Sequence, residues 1–361
     1  MTRFALIIAL LAAGCSGQQE PRPIQLGHPA PLTGPDQVRG LEEKQGIALA
    51  VEDVNAAEGQ VLNRPLQVIH ANTGSTTTGT GAVVVRLIQV NKVSALLGGQ
   101  DVAALDNLGS LSQSSPVPFV LASGGAGRPT GKRVFFTGLP ESRRGTVLGQ
   151  FAAAELKLKD VAILSDGQAA RFELIEAFAR ALSADKLAGR WSYAAPDKVG
   201  PVVKELLERK PKAVLFAGPS TDCLEAIRAG LGSIPVLYAG AEGSLSSLQS
   251  TPVETPLYLV TAFVAEAQEK AVQEFVARYQ KQFGLAPGVH AALAYDDTRL
   301  LAAAIKQAET LETEKVVEAL HELTFTALTG ECKFAKEKVL ARPAYVVKLI
   351  KGKVEVSKKY E

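Results

Sequence analysis

Ile24-Gln-Leu-Gly27, the break Pro29-Ala-Pro31-Leu-Thr-Gly34, and then Gly40 to Asn55 form the stretch that decides the architecture. The first four residues read as a short apolar strand, and prolines with glycine stop it. In the segment that follows, Ile47, Leu49, Ala50, Val51 and Val54 recur at helical spacing. Glu42 and Glu43 lie early in it, where acids suit a helix start, and Asn55 stands at its end. A strand, a turn and a helix make one β/α step.

The same step repeats along the chain. Pro65 to His70 and Val93 to Leu97 read as strands, with helices at Gly81 to Val90 and Asp101 to Ser114 and another strand at Pro118 to Ala122. The pattern resumes after Phe135. Helices are expected at 145–156, 170–184, 200–208 and 221–231, with strands at 160–165, 213–217 and 235–238. Long helices follow at 270–283, 288–308 and 312–320, and the tail closes with strands at 344–350 and 353–357 around the turn Lys351-Gly352. Strands alternating with helices predict parallel sheets covered on both faces. The two β/α series part near Thr137-Gly-Leu-Pro140. The Thr/Gly-rich link from Thr73 to Gly81 reads as a solvated loop.

The front of the chain carries an address. Met-Thr-Arg is followed by the apolar run Phe4 to Ala13 and then Ala12-Ala-Gly-Cys15-Ser-Gly17. A basic start, a short apolar core and small residues describe a secretory signal. The run is far shorter than the roughly 20 residues that span a bilayer. Small residues followed by cysteine resemble a bacterial lipobox, with Ala12 where leucine is usual. Cys15 is therefore expected to carry lipid, residues 1–14 to be removed, and 15–23 to act as a tether. Ser16 in place of aspartate favours an outer membrane over an inner one. Two or more acyl chains make such an anchor stable, since one alone holds only marginally.

Composition narrows the partners. Hydrophobic residues are 47% and charged residues 21%, as in ordinary folded proteins. The formal net charge of +2 falls to +1 once Arg3, the only charge in the leader, is removed. That balance offers no electrostatic footprint for nucleic acid. The Lys-rich end (Lys348, Lys351, Lys353, Lys358, Lys359) reads as a solvated strand edge. Cys223 and Cys332 are expected as buried free thiols, although one disulfide is open to them.

Ten segments resemble, in register over about 300 residues, the periplasmic type I solute-binding proteins of the branched-chain amino acid (leucine-binding) group. They are Pro31-Leu-Thr-Gly34, Gly46 to Asn55, Asn63-Arg-Pro-Leu66, Val93 to Gly98, Pro116-Val-Pro-Phe119, Val134-Phe-Phe-Thr137, Gly240-Ala-Glu-Gly243, Phe275 to Tyr279 with Phe283-Gly284, Ala294-Tyr-Asp296 and Leu328-Thr-Gly330. The resemblance implies an α/β fold of two Rossmann-like lobes joined by three crossings, near 138–140, 261–264 and 326–331. It implies an N-terminal lobe of 24–138 plus 264–328, and a C-terminal lobe of 139–263 plus 329–361. A small solute would be caught in the cleft and handed to an ABC permease.

The family's ligand positions map onto Gly98 to Ala103 and Ser123 to Pro129. A hydroxyl-bearing Ser becomes Val102. Of the second loop, Ala126 is kept while a Thr becomes Gly127. Aromatic wall positions fall near Ala170 or Arg171 and near Pro219, beside Ser220. The acid that pairs with a ligand ammonium is kept as Glu242. New candidates are Arg39, Gln100, Asp101, Arg128, Gln168 and Arg171, since an arginine can grip a carboxylate through paired hydrogen bonds. Backbone donors from Gly125 to Gly127 could also hold an anion. The pattern predicts a small polar or amphipathic metabolite rather than leucine, isoleucine or valine.

No enzyme site emerges. His28, His70, His290 and His321 are scattered without metal-ligand spacing, and no cofactor motif stands out. His28 is expected as a satisfied loop residue beside the cleft. The phosphate-loop look of Gly124 to Lys132 fails at Ala126 and Arg133. Asp296-Asp297 is expected to serve packing. The alternative to transport is an envelope lipoprotein that regulates or scaffolds a partner with the same fold.

Overall fold

A computed structural model describes residues 21–58, 60–98, 116–122, 132–334 and 339–361. The first sheet is built from β1 (Ile24–Ala30), β2 (Leu66–Asn72), β3 (Ala95–Leu97), β4 (Phe119–Leu121) and β5 (Val134–Phe136), all parallel, in the order β2-β1-β3-β4-β5. Around it lie α1 (Gln37–Ala56) and α2 (Thr77–Gln89).

The second sheet repeats that order. Its parallel part runs through β6 (Val161–Ser165), β7 (Leu187–Ser192), β8 (Ala213–Ala217), β9 (Val236–Tyr238) and β10 (Leu257–Thr261), arranged β10-β9-β8-β6-β7. Helices α3 (Glu141–Ala154), α4 (Phe172–Leu182), α5 (Val199–Glu208), α6 (Ser220–Arg228) and the short α7 (Leu245–Gln249) accompany it. β14 (Ala344–Ile350) and β15 (Lys353–Tyr360) extend the sheet antiparallel. The lysine-rich β15 is its edge strand, where charge blocks pairing with another chain.

Apolar clusters hold the halves. Ile24, Leu26, Ala95, Leu97, Val120 and Phe135 are buried in the first half, and Ile163, Leu164, Leu215, Phe216 and Leu237 in the second. A further cluster lies on the other face of the first sheet around Leu87, Leu96 and Phe119. Each fully buried large side chain contributes about 1.5–3 kcal/mol. Glycines set the closest helix packing. A Cβ on Gly145 of α3 would stand 2.2 Å from the Leu174 carbonyl oxygen of α4.

The chain passes between the sheets three times: after β5 at 137–140, after β10 at 262–264, and between Ala341 and Ala344. After the second passage, α8 (Lys270–Phe283) and α9 (Val289–Ala308) pack back on α1, followed by α10 (Thr313–Glu322). Contact there is close, since a Cβ on Gly46 would stand 2.0 Å from the Ala291 carbonyl oxygen.

The third passage lies later than the sequence suggests. Around the expected crossing at 326–331 the chain instead forms the antiparallel strands β11 (Thr324–Ala327), β12 (Gly330–Phe334) and β13 (Leu340–Ala341). Phe325, Cys332, Phe334 and Leu340 join the first sheet's core, so residues up to Ala341 stay with that lobe. The lobe boundary at 328/329 is corrected accordingly, because alternate apolar residues find their burial on the first side. Strands β5, β7 and β10 were also missing from the expectation. β10 is a run of five between two breaks, too short for its periodicity to identify it.

Cys223 and Cys332 are buried free thiols in different cores. Burial pushes the Cys332 thiol up to about 11 and raises that of Cys223 further still. Among the described residues no helix is long and apolar enough to cross a membrane. Cys15 and the leader lie outside the described residues.

Candidate functional site

In parallel sheets of this order, ligands sit beyond the carboxyl ends of the strands. Both sheets point those ends at one cleft of about 830 Å³, lined by Pro35, Asp36, Val38, Arg39 and Glu42 after β1, by Ala122 after β4 and by Leu139 after β5. From the second lobe come Ala170 and Arg171 after β6, Ser220 after β8, and Ala241 to Ser244 with Ser246 and Ser247 after β9; helices α3 and α9 add Glu141, Arg144, Val289, His290 and Leu293.

The loop after β1 is clamped from behind. Asn72 accepts from the Leu32 N–H (3.0 Å) and donates to Thr33 Oγ1 (2.9 Å), while Ser75 Oγ donates to the Thr33 carbonyl (2.7 Å). Ser75 Oγ also accepts from the Asp36 N–H at 3.2 Å. The Thr/Gly-rich link thus begins as a brace, and Thr76 caps α2 by accepting from the Gly79 N–H at 3.0 Å. This fixes the start of α1, whose spacing of three and four residues turns Val38, Arg39 and Glu42 to the cleft.

Arg39 is three-quarters buried and has one ionic contact, 3.7 Å from Asp36, which is half exposed. Its buried Nε has no hydrogen-bond partner among the described residues. Burial, with the Glu43 charge beside it, holds the Glu42 carboxyl up at about 7.

The second lobe's groups are better paired. Asp166 accepts from the Gln168 N–H (3.1 Å) and from Arg171 Nε (3.1 Å), which pins Arg171 at the cleft wall. Ser247 Oγ donates to Ser220 Oγ at 3.0 Å. Arg144 donates to Glu141 at 2.8 Å and to the Gly240 carbonyl. Glu242 accepts the Ala262 N–H and, at 3.2 Å, the Thr261 hydroxyl, so it ties the cleft to the second passage. Burial raises the Glu242 pKa against the opposing pull of Arg144. Burial also lowers His290 to about 4, which leaves it neutral at pH 7.

Behind the cleft, the crossings are bound together by buried acids of α9. Asp297 accepts from Thr137 Oγ1 (3.0 Å), and Asp296 accepts from the Leu328 N–H (3.0 Å) and Arg342 (2.9 Å). Arg342 also donates to the Thr137 carbonyl at 2.8 Å. Burial lifts Asp297 to about 8. The pair expected to serve packing therefore braces the first and third passages.

Of the candidates, Arg39, Arg171, Ser220 and Glu242 meet in this cleft. Gln168 is exposed and does not line it. Gln100, Asp101, Val102, Gly125, Ala126, Gly127 and Arg128 lie outside the described residues. His28 is corrected: it is not a loop residue but sits fully buried in β1, bonded to Glu43 (3.0 Å) and His70 (2.9 Å). Sequence reasoning missed Glu42, Glu141, Arg144, His290 and the serines from 244 to 247. Only Glu42 had a usable signal, three residues beyond Arg39 on one helix face.

Twin α/β lobes with a shared cleft at their strand ends define a two-lobed binding fold. The chain belongs to the periplasmic binding protein family, whose profile matches residues 23–353. Three solved structures are similar to it. A solute-binding protein of an ABC transporter from Rhodopseudomonas palustris BisB5, in complex with 3,4-dihydroxy benzoic acid, is 19% identical over 94% of this chain and 97% of that one, with a TM-score of 0.79. LivJ from Streptococcus pneumoniae, a branched-chain amino acid transporter substrate-binding protein in complex with isoleucine, is 22% identical over 94% and 99%, with a TM-score of 0.80. The leucine-binding protein LivK from Thermotoga maritima is 20% identical over 94% and 99%, with a TM-score of 0.77. At these identities the likeness is one of fold, and it matches the family resemblance carried by the ten segments.

Proposed function

We propose that this chain is a lipid-anchored, extracytoplasmic receptor that captures a small polar or amphipathic metabolite between its lobes for an ABC permease. The observation that carries the reading is the cleft lined from the strand ends of both sheets. Its volume of about 830 Å³ falls in the usual range for small-molecule sites. Similar structures hold isoleucine or dihydroxybenzoate. The second-lobe wall at Ala170, Arg171 and Ser220 presents no aromatic ring, which supports a ligand other than leucine.

In this reading, residues 24–137 with 264–341 move against 140–261 with 344–360, and ligand contacts to both supply the bias toward closure. The test is small-angle scattering and thermal unfolding against a metabolite panel. A true ligand compacts the protein, and at 100 times its Kd stabilises it by about 2.7 kcal/mol. Tight binding of leucine, isoleucine or valine in calorimetry would sink the non-leucine part. If no solute acts and pull-down recovers an envelope protein without a permease, the scaffold reading replaces this one.

The anchor rests on the leader and Cys15, with Ser16 favouring the outer membrane. Cys15→Ser should move the protein from the membrane fraction to the soluble extract. Its retention in the membrane would remove the lipid from the proposal.

A further inference from the structure

We infer that the captured solute is an organic carboxylate held by Arg39, and that an α-ammonium group adds nothing to its affinity. This rests on the solute-capture reading and names the substrate class of the same cleft.

Sorting the cleft's charges by partner isolates one cation. Arg171 is matched to Asp166 at 3.1 Å, and Arg144 to Glu141 at 2.8 Å. Arg39 is left with a 3.7 Å contact to a half-exposed aspartate one turn away. An exposed pair of that kind is worth a few tenths of a kcal/mol in a helix. The Nε–H of Arg39 is buried without a partner, as are those of Arg144 and Arg342, but those two are answered at their other nitrogens by closer acceptors and Arg39 is not. A guanidinium presents its donors as a planar fork that fits a carboxylate through two parallel hydrogen bonds. A carboxylate in the cleft gives Arg39 the partner that the protein withholds.

Glu242, the acid that the family resemblance pairs with an ammonium, is already occupied, and burial holds the carboxyl of Glu42 up at about 7. Glu242 Oε1 takes both the Ala262 N–H and the Thr261 hydroxyl, and Arg144 is the largest charge acting on it. A ligand ammonium there would compete with a resident arginine. Beside Asp36, Glu42, Glu141 and a neutral His290, the wall offers aliphatic (Leu139, Val289, Leu293) and hydroxyl-bearing (Ser220, Ser247) stretches that suit an uncharged body. Arg39 lies on the first lobe and the two serines on the second, so an acid with a hydroxyl or keto group touches both.

The experiment is calorimetry on the intact soluble chain with matched compounds. Aliphatic, hydroxylated and aromatic carboxylates are each run beside their neutral amides, and leucine beside 4-methyl-2-oxopentanoate. Carboxylates should bind at least about 30-fold tighter than their amides, and leucine no tighter than its keto acid. Arg39→Ala should lose about 30-fold and Arg39→Lys about 10-fold, with unligated melting unchanged. Asp36→Asn, which removes the competing carboxylate, should gain about 2-fold and keeps the test alive if Arg39→Ala fails to fold. Equal binding of acid and amide, tighter binding of leucine, or indifference to Arg39→Lys would overturn the inference while leaving solute capture standing. A panel in which nothing binds would overturn both.

Discussion

Two buried arginines in this molecule live in opposite surroundings. Arg342, at the third passage, donates to Asp296 and to the Thr137 carbonyl and is itself almost wholly buried. Arg39, at the cleft, is three-quarters buried and is met by little more than a distant aspartate. Desolvating a charge costs several kcal/mol unless partners return it. Where the fold needs a charge for its own cohesion it supplies those partners. Where a charge is left short of them beside an open cleft, a ligand is the natural partner.

The sharpest way to break this contrast is to remove each arginine and measure stability. Arg342→Ala leaves the buried Asp296 with only the Leu328 N–H and a 3.7 Å contact to Arg299, and should cost about 3–5 kcal/mol in urea unfolding. Arg39→Ala should change the same measurement by no more than about 0.5 kcal/mol. Equal losses would mean that Arg39 is structural.

A smaller effect probes how the returning helix is seated. Gly46→Val must push its side chain against the Ala291 carbonyl, which should cost about 1–3 kcal/mol. Gly81→Val, where nothing crowds the Cβ, should cost less than half of that.

Titration separates the regions again. Glu42 and Asp297 both have folded-state pKa values above the unfolded ones, at about 7 and about 8. The native state therefore holds those protons more tightly than the unfolded chain does. Their contribution is intact at pH 4 and is lost as pH rises through 7 to 8. Glu42→Gln should flatten part of that decline and be more stable than the parent at pH 8 by roughly 1–2 kcal/mol. No gain at pH 8 would show that Glu42 ionises freely. The smallest effect is expected at the thiols: Cys223 and Cys332 should resist alkylation until the protein is unfolded.

Part of this was written locally. Repeated β/α steps are visible because helical and strand periodicities act within ten or fifteen residues, and β8 and α8 start and stop at the residues that the pattern marks. The glycines that admit α9 against α1 and α4 against α3 carry no such local mark. Their value depends on which backbone arrives opposite them.

The third passage shows the limit most clearly. Leu328-Thr-Gly330 reads as a crossing, yet the alternation of Phe325, Ala327, Cys332 and Phe334 keeps the next strands on the first core. Alternation announces a buried face without saying which sheet buries it. The sequence by itself determined the α/β class, the two series, the family and the choice of Arg39, Arg171, Ser220 and Glu242 as candidates. Only the tertiary structure decided that Arg171 is matched by Asp166, that Glu242 is held by the second passage, and that Arg39 is left with a 3.7 Å contact to a half-exposed aspartate. Pairing depends on distance, and distances between residues far apart in the chain exist only once both sheets have turned their strand ends to the same cleft.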